Sequence, residues 1–511
     1  MKSVISIFSG IMAMAMFQAC APSASDSDAD HLVILHTNDT HSQIDPDRHN
    51  LGGIARRKVL VDSVRAERQN VLLVDAGDAV QGSLYYTIFG GEVERKLMNE
   101  MGYDIRILGN HEFDKGLDVL AREWKQIDGT RLSTNYDFED TPLDGLFVPS
   151  VIKEYNGHKI GFIGVNLDPK GIIVEDNYGE MEYEDAIEEA NKEAARLKKE
   201  GAEMVIAISH IGYDNEHDYD DLTLARRSHD IDVIIGGHSH TLVTPTDNPD
   251  APKWIVPNAD GKNVTIVQTG STGTYLGEID IDLKSRDVSA RVIPVTDRLD
   301  SRIDTTFTAL ITPYREKVDS IRSIKIGTNP AEMERKSPEL LNFMSDFVMM
   351  RGRELSPSGK VDLAIMNKGG LRNSLPAGDI TAGAVIDIAP FDNSIVVMEI
   401  KGEDLIDNFK VMAAQEGQGV SSNVKALYDP STHELNSVTI DGKPIDPDRR
   451  YILATIDYLA DGNDYMEPLK EGKILARSNE VLYQILINKI SNGSLDKLLN
   501  SPDHTRRMTS M

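Results

Sequence analysis

The sequence has a single cysteine, Cys20, among 511 residues. A disulfide within the chain is therefore excluded, and cysteine cannot hold an iron–sulfur cluster, which needs several thiolates. Positive charge is also scarce, because 54 Lys and Arg residues stand against 82 Asp and Glu residues, giving a formal net charge of −28. A chain of this charge repels nucleic acid and anionic lipid surfaces at long range, so we expect no nucleic-acid partner.

The apolar stretch at the start of the chain, Val4–Ala19, is too short to span a bilayer. It follows Lys2 and ends in a small residue, a pattern typical of a signal peptide, so we expect residues 1–19 to be one. The next residue is Cys20, and the whole segment resembles a bacterial lipoprotein signal. The resemblance implies that Cys20 is lipidated; the alternatives are a plain signal peptide or an anchor that is not cleaved.

Residues 20–30 contain three Asp among Ser, Ala and Pro and cannot bury a core, so we expect a flexible acidic tether after the lipidated cysteine. The resemblance to a lipoprotein signal implies an exported protein, anchored to the bacterial outer membrane on its periplasmic or cell-surface face. The membrane is then a partner only through the lipid.

The length of the chain favours two domains, since a single core stops growing near ~250–300 residues. From about Leu32 to Arg298, strand-like apolar runs alternate with amphipathic segments such as Asp185–Glu200, which predicts an α/β fold. The segment Asp304–Ile321 has apolar residues at helical spacing and is predicted to be an interdomain helix. A second set of predicted elements begins near Lys325.

Five strand-like runs in the first half each end in side chains that commonly bind metals. They are Leu32–His36 with Asp39 and His41, Val71–Val74 with Asp78, Ile105–Leu108 with Asn110, Met204–Ile208 with His210, and Val233–Ile235 with His238 and His240. Open α/β sheets place their sites beyond the carboxyl ends of strands, so segments far apart in sequence can converge there. Taken singly, each of these residues could equally be an ordinary loop, turn or cap residue that binds no metal.

Taken together, five ordered blocks resemble the calcineurin-like metallophosphoesterases of the 5′-nucleotidase branch. The blocks are Asn-Asp-Thr-His-Ser, Gly-Asp-Ala-Val-Gln-Gly, Gly-Asn-His-Glu-Phe-Asp, Ser-His and Gly-Gly-His-Ser-His. The resemblance implies a four-layer α/β/β/α sandwich over residues 31–300, an interdomain helix or hinge over 301–322, and a smaller α/β substrate-binding domain over 323–511.

The family resemblance also implies two divalent metal ions bridged by Asp78. One ion would take Asp39, His41, Asp78 and His240, and the other would take Asp78, Asn110, His210 and His238. Nitrogen and oxygen ligands without sulfur fit Zn, Mn or Co. Such ions lower the pKa of bound water toward ~7, so a metal-bound hydroxide would attack phosphorus. His111 would stabilise the developing charge or protonate the leaving oxygen, with its ring held by Asp114.

In the second domain, the segment Asn367–Arg372 follows a predicted strand and ends in Gly-Gly-Leu-Arg. Its glycines, including Gly370, allow close approach of the backbone to a ligand. The guanidinium group of Arg372 is planar and suited to binding phosphate. A plain turn is the simpler reading of this segment alone. The role of Arg335, which lies upstream, and that of Gln43, which stands where some relatives have Arg, are left open.

The resemblance continues in Pro390–Asn393 and in the run from Thr455 to Asp464, which match the nucleotide-binding part of the family. There two aromatic rings enclose the base, and the rings at those positions here are Phe391 and Tyr458. Asn367 and Asn393 would contact the base, and Asp464 would accept hydrogen bonds from ribose hydroxyls. Core packing is the alternative for Phe391.

These expectations combine in one prediction: an exported, monomeric, metal-dependent 5′-nucleotidase that removes phosphate from nucleoside monophosphates. Within the same branch, the alternatives are a nucleotide-sugar pyrophosphohydrolase and a 2′,3′-cyclic nucleotide phosphodiesterase. A more distant branch acts on thioesters of sulfate, and two rings that stack a base would argue against it. In a different class, the chain would be a non-catalytic nucleotide-binding or adhesion lipoprotein of the cell surface.

Overall fold

Residues 26–47, 49–214 and 219–510 are described by a computed structural model of the chain. The predicted signal peptide over 1–19 and the lipidation site Cys20 lie outside the described residues, as does His217. Within the described ranges, no helix combines the length and apolarity that crossing a membrane requires.

The first part of the chain carries fifteen strands and seven α-helices within the described residues. The strands are β1 (His31–Thr37), β2 (Val71–Asp75), β3 (Ile105–Ile107), β4 (Thr130–Leu132), β5 (Tyr136–Asp137), β6 (Ser150–Tyr155), β7 (His158–Asn166), β8 (Glu182–Tyr183), β9 (Met204–His210), β10 (Val233–Ile235), β11 (Leu242–Val243), β12 (Ile255–Pro257), β13 (Asn263–Thr269), β14 (Tyr275–Asp282) and β15 (Val288–Pro294). The helices are α1 (Ile54–Glu67), α2 (Leu84–Phe89), α3 (Glu92–Met101), α4 (Gly116–Trp124), α5 (Glu175–Tyr178), α6 (Ala186–Lys199) and α7 (Asp221–Arg227), and short 3-10 turns lie at Asp26–Asp30, His111–Phe113 and Asp297–Arg302.

Two sheets form the centre of this part. One has the order β15-β14-β1-β2-β3-β4, and the other has the order β11-β13-β10-β9-β7-β6 with β12 paired to β13. The sheets pack face to face through alternate strand residues such as Ile34 and Ile206, both fully buried in one shared core. The opposite faces pack against helices: Val59 of α1 and Val93 of α3 belong to one outer core, and Ala190 of α6 belongs to the other. The result is the predicted four-layer α/β/β/α sandwich.

Helix α8 (Thr305–Arg322) connects the two parts of the chain. Asp304 caps its first turn by accepting a hydrogen bond from the N–H of Thr306 at 2.8 Å. Its apolar face, which includes Phe307 and Ile311, is buried in the outer core of the first sheet. The helix falls within 301–322, for which an interdomain helix is expected, while the exact domain limits remain a prediction.

The second part forms a smaller α/β domain. Its strands are β16 (Lys325–Asn329), β17 (Leu363–Met366), β18 (Gly378–Thr381), β19 (Ser394–Lys401), β20 (Gly419–Val420), β21 (Val424–Tyr428), β22 (Leu435–Ile440), β23 (Lys443–Pro444), β24 (Arg450–Ile456), β25 (Lys473–Val481) and β26 (Met508–Ser510). Its helices are α9 (Pro338–Leu355), α10 (Ala382–Ile388), α11 (Gly402–Ala414), α12 (Asp457–Ala460), α13 (Leu482–Ser491) and α14 (Asp496–Asn500), with a 3-10 turn at Glu467–Glu471. The main sheet has the order β20-β17-β24-β19-β25, and a second sheet has the order β23-β22-β21-β26.

The expected flexible tether over 20–30 is wrong for its last residues. Asp28 accepts hydrogen bonds from the Arg68 side chain and, at 2.9 Å, from the N–H of Gln69. Asp30 pairs with Lys284 and accepts a hydrogen bond from Asn156 at 2.7 Å. The acidic residues of this segment therefore bind basic and polar groups at the edge of the sandwich, which composition alone does not predict.

Candidate active site

The predicted metal ligands lie at one end of the sandwich, beyond the carboxyl ends of neighbouring strands. Strands β1, β2 and β3 run parallel side by side in the first sheet, and β9 and β10 do so in the second. The residues that follow these strands, or end them, are Asp39, His41, Asp78, Asn110, His210, His238 and His240. The convergence inferred from the order of the motifs is thus what the topology produces.

Asp39, His41 and His240 form the first cluster, with one ligand atom from each lying within 4.8 Å of the others. The Nε2 atoms of the two histidines are 2.9 Å apart, and Asp39 Oδ1 is 3.4 Å from Nε2 of His240. Burial, Arg372 and His240 hold the pKa of His41 well below its ordinary value. The His41 ring is therefore neutral and keeps a lone pair for a metal.

Asp78, His210 and His238 form the second cluster, also within 4.8 Å of one another. Oδ2 of Asp78 lies 3.3 Å from Nε2 of His210 and 4.0 Å from Nε2 of His41, so this oxygen faces both clusters. Asn110 joins the second cluster, because its Oδ1 is 2.9 Å from Nδ1 of His238. The two groups match the ligand sets that the family resemblance implies.

His210 shows that the clusters fit metal ions. Its Nδ1 donates to the carbonyl of Ala76 at 2.7 Å, which leaves Nε2 as the atom that faces Asp78. This Nε2 is fully buried and makes no hydrogen bond of acceptable geometry within the described residues. A buried imidazole nitrogen that has no hydrogen-bond partner and lies beside a carboxylate suits a metal ligand, so the residues of the two clusters fit divalent metal ions.

Without a metal, His210 and Asp78 form a charged pair. Burial lowers the pKa of His210, but Asp78 outweighs this effect and raises the pKa to about 10. His210 and His111 in turn hold the pKa of Asp78 well below its ordinary value, against the effect of burial. Metal binding must displace the proton of His210, so metal affinity is expected to rise with pH.

The ligand loops hold an unusual backbone conformation. Five ligands have positive φ angles although none is glycine: Asp39 at 49°, His41 at 47°, Asp78 at 53°, His238 at 75° and His240 at 56°. Each such residue costs free energy, of order 1–3 kcal/mol, and persists only where surrounding contacts hold it. The glycines of the motifs allow those contacts: a Cβ on Gly109 would lie 2.3 Å from Oδ1 of Asp78.

His111 and Asp114 lie beside the clusters and form the predicted pair. Nδ1 of His111 is 3.0 Å from Oδ2 of Asp114, and its ring centroid is 5.4 Å from that of His41. Burial lowers the pKa of His111, but Asp114 and Asp78 outweigh it and raise the pKa above its ordinary value. The Nε2 side of the ring is then available to hold a proton.

A cavity of about 520 Å³ lies between the two domains and reaches the second metal cluster. On the sandwich side it is lined by Asn110, His111, Asp114 and His238. On the other side it is lined by all seven residues predicted to bind substrate, namely Asn367, Gly370, Arg372, Phe391, Asn393, Tyr458 and Asp464. A volume of this size falls in the range typical of small-molecule sites.

Several contacts across this cavity join the domains directly. Nη2 of Arg372 is 3.0 Å from Nε2 of His41, and the Phe391 ring centroid is 5.9 Å from that of His111. The hydroxyl of Tyr458 donates to the carbonyl of Ile172 at 3.1 Å. The second domain thus brings a guanidinium and an aromatic ring next to the metal clusters.

Two residues at the site were missed by the sequence reasoning. Asn38 donates to Oδ2 of Asp39 at 2.6 Å and accepts from Thr269, so it orients a predicted ligand. Glu112 accepts hydrogen bonds from backbone N–H groups of two ligand loops. Both residues lie inside the motifs that carry the predicted ligands, and this position in the sequence was the only feature that could have indicated a role for them. Of the two residues left open, Arg335 donates to the carbonyl of Leu371, and Gln43 donates to that of Asp45.

Comparison with known protein families agrees with this geometry. The model of the calcineurin-like phosphoesterase family matches residues 32–242, and the model of the 5′-nucleotidase C-terminal domain matches residues 319–471. The sandwich, the two clusters and these matches define a dinuclear metallophosphoesterase.

Curated relatives and a solved structure identify the family. The chain is 30% identical to a 5′-nucleotidase of Vibrio cholerae, with 91% of each chain covered, and 29% identical to the protein UshA of Yersinia enterocolitica, with 85% of this chain and 86% of that one covered. It is also similar to the crystal structure of a 5′-nucleotidase precursor from Thermus thermophilus, at 28% identity, a TM-score of 0.83, and coverage of 94% of this chain and 99% of that one. The chain belongs to the 5′-nucleotidase family and is a metal-dependent nucleotide phosphohydrolase.

Proposed function

We propose that the enzyme removes the 5′-phosphate of nucleoside monophosphates, with the phosphate at the metal clusters and the base in the second domain. One observation carries this proposal: a single cavity extends from the second metal cluster to Phe391 and Tyr458. A nucleoside monophosphate has a charged group at one end and a flat apolar base at the other, and the two ends of the cavity have matching chemistry.

In this proposal, Asp39, His41 and His240 hold one metal, and Asn110, His210 and His238 hold the other, with Asp78 shared between them. When bound, two divalent ions would supply Lewis-acid charge and would lower the pKa of nearby water. The negative charge of the whole chain disfavours phosphate, so this local positive charge is necessary for binding.

His111 gives a proton to the leaving 5′ oxygen from Nε2. Asp114 accepts the hydrogen bond from Nδ1, which fixes the ring and favours its protonated form. Arg372 reaches the first metal cluster from the second domain, where its guanidinium binds phosphoryl oxygens. Burial lowers the pKa of Arg372 from its ordinary value, and a bound phosphate would offset that cost.

The nucleoside binds between Phe391 and Tyr458, whose rings are both half-buried at the cavity. Asn367 and Asn393 contact the base, and Asp464 accepts hydrogen bonds from ribose hydroxyls. Asp464 accepts a hydrogen bond from Asn367 at 3.0 Å in the structure. Oδ1 of Asn367 is buried without a partner among the described residues, and a ligand donor would satisfy it.

The test is phosphate release from a panel of nucleoside monophosphates, nucleotide sugars and 2′,3′-cyclic nucleotides. Metal is removed first, and Mn, Zn or Co is then restored. We expect no release without metal and the highest kcat/KM for monophosphates such as AMP after restoration. A higher kcat/KM for a nucleotide sugar or a cyclic nucleotide would overturn the proposal in favour of that activity.

We also propose that the enzyme is exported as a monomer and anchored by lipid at Cys20, on the periplasmic or surface face of the outer membrane. The support is the sequence of residues 1–20, which resembles a lipoprotein signal. Expression of the full chain in a Gram-negative host tests the anchor. Cys20→Ala should move the enzyme from the membrane fraction to the soluble fraction; an unchanged distribution would refute lipidation.

A further inference from the structure

Glu112 connects two loops that carry predicted metal ligands. Its Oε2 accepts hydrogen bonds from the backbone N–H groups of Asp78 at 3.0 Å and Gly109 at 2.6 Å. Its Oε1 accepts a third, from the N–H of Ala79 at 2.9 Å. The first loop follows β2 and the second follows β3, so one side chain holds the two loops together.

A second hydrogen bond joins the same loops in the opposite direction. The N–H of His111 donates to Oδ1 of Asp78 at 2.9 Å. Because Oδ1 is occupied in this way, Oδ2 is the oxygen of Asp78 that faces His210 and His41. The orientation of the bridging carboxylate therefore depends on how closely the two loops approach each other.

Glu112 itself is not a ligand candidate. Its side chain belongs to neither cluster of potential metal ligands, and the residue is only 6% exposed. Both of its oxygens accept from backbone N–H groups, which a carboxylate can do and a carboxamide cannot. A glutamine has almost the same shape, but its amide NH₂ would turn a donor toward at least one of these N–H groups.

We propose that Glu112 is a positioning residue that orients the Asp78 carboxylate and Asn110 for metal binding by holding the Asp78 loop against the Asn110–His111 loop. This inference rests on the proposed assignment of Asp78 and Asn110 as metal ligands. It assigns to the glutamate of the Gly-Asn-His-Glu motif a role distinct from ligation and from proton transfer.

The experiment compares the wild-type enzyme with Glu112→Gln in metal affinity, measured by equilibrium dialysis with Mn²⁺ and elemental analysis. Loss of a group that orients metal ligands typically costs about 10- to 100-fold in metal affinity, and we expect a loss of this size. KM for AMP at saturating metal should stay unchanged, since the nucleoside is bound by the other domain. At limiting metal, kcat should fall, and excess Mn²⁺ should restore part of it.

Glu193→Gln is the matched control. Glu193 lies on α6, is only 9% exposed, and both of its oxygens accept from Arg196 of the same helix. It should bind two ions as the wild type does. If Glu112→Gln fails to fold, Glu112→Asp carries the test: it keeps the charge, but with one methylene fewer it cannot reach all three N–H groups, so we expect a smaller loss of metal affinity.

Two ions bound with wild-type affinity and an unchanged kcat in the Glu112 variants would overturn the inference. An equal loss of metal in Glu193→Gln would do so as well, since the effect would then follow from the change of any buried glutamate in this domain. Failure of the proposed function is distinguishable, because the wild-type enzyme would then bind two ions and leave AMP intact.

Discussion

The metal clusters and the nucleotide-binding side of the cavity are built in different ways. Asp39, Asp78 and His210 are almost fully buried, directly follow or end central strands, and are held by hydrogen bonds between loops. Phe391 and Tyr458 are half-buried and lie on loops or short helices of the second domain. In the proposed function, charge chemistry resides in the sandwich, and recognition of the nucleoside resides in the second domain. We therefore expect changes at the metal clusters to affect kcat and metal content, and changes at the nucleotide-binding side to affect KM.

The largest effect is expected for Asp78→Asn, which removes the charge shared by both metals. Lewis-acid stabilisation is worth several kcal/mol, so kcat/KM for AMP should fall by roughly 10³-fold or more. Metal content should fall with it, measured by elemental analysis of the dialysed protein. Asp232→Asn is the control, because Asp232 binds Lys198 and the backbone of Val205 at the other end of the sheet. Retention of two ions and of activity in Asp78→Asn would refute the bridging role.

The next effect is expected for His111→Ala, which removes the proposed proton donor and no metal ligand. General acid catalysis contributes typically about 10²- to 10⁴-fold, so kcat should fall within this range while two ions remain bound. Asp114→Asn should cause a smaller loss of kcat, because the ring stays but loses its orienting carboxylate. Steady-state kinetics with AMP, combined with metal analysis, checks both. An unchanged kcat in His111→Ala would favour another residue as the acid.

A smaller effect is expected for Phe391→Ala, which changes the nucleotide-binding side of the cavity and leaves the metal clusters intact. Stacking of an aromatic ring on a base is worth about 1–3 kcal/mol, so KM for AMP should rise by about 5- to 100-fold. Ribose 5-phosphate has no base, and its kcat/KM should not change. A fall in metal content, or an equal effect on ribose 5-phosphate, would mean that the ring supports the clusters instead.

The smallest effect is expected for Tyr458→Phe, which keeps the ring and removes the hydroxyl. The lost hydrogen bond to the carbonyl of Ile172 is worth about 0.5–1.5 kcal/mol, so kcat/KM should change by about 2- to 10-fold. Kinetics with AMP measure the change, and Tyr458→Ala provides the comparison without a ring. If Tyr458→Phe were as damaging as Tyr458→Ala, the hydroxyl and not the ring would be the important group.

The same contrast explains what the sequence could predict. Asp39 and His41 lie in short motifs directly after apolar runs, and parallel strands bring such motifs together, so their convergence could be predicted from order and spacing. The division of the residues into two ligand sets came from the family resemblance. The left-handed backbone of His238 and His240 could not be predicted, since it depends on contacts between loops. The role of Glu112 was hidden for the same reason, because its partners are backbone groups of another loop.

The nucleotide side was harder to derive from residues alone. Phe391 and Tyr458 are separated by 66 positions, and only the docking of the two domains places their rings on one cavity with His111. The two rings were predicted to bind the base from the family resemblance, because the periodicity of the sequence gives no signal for such a role. Composition alone was misleading for residues 20–30. It predicted a flexible tether, but Asp28 and Asp30 are held by specific partners at the surface of the sandwich.

The most direct test of the account is a titration of the metal-free enzyme with Mn²⁺, in which bound metal and phosphate release from AMP are measured on the same samples. We expect that activity is absent without metal and reaches its plateau when two ions are bound per chain. Full activity with no ion or one ion bound, or two bound ions with AMP left intact, would contradict it.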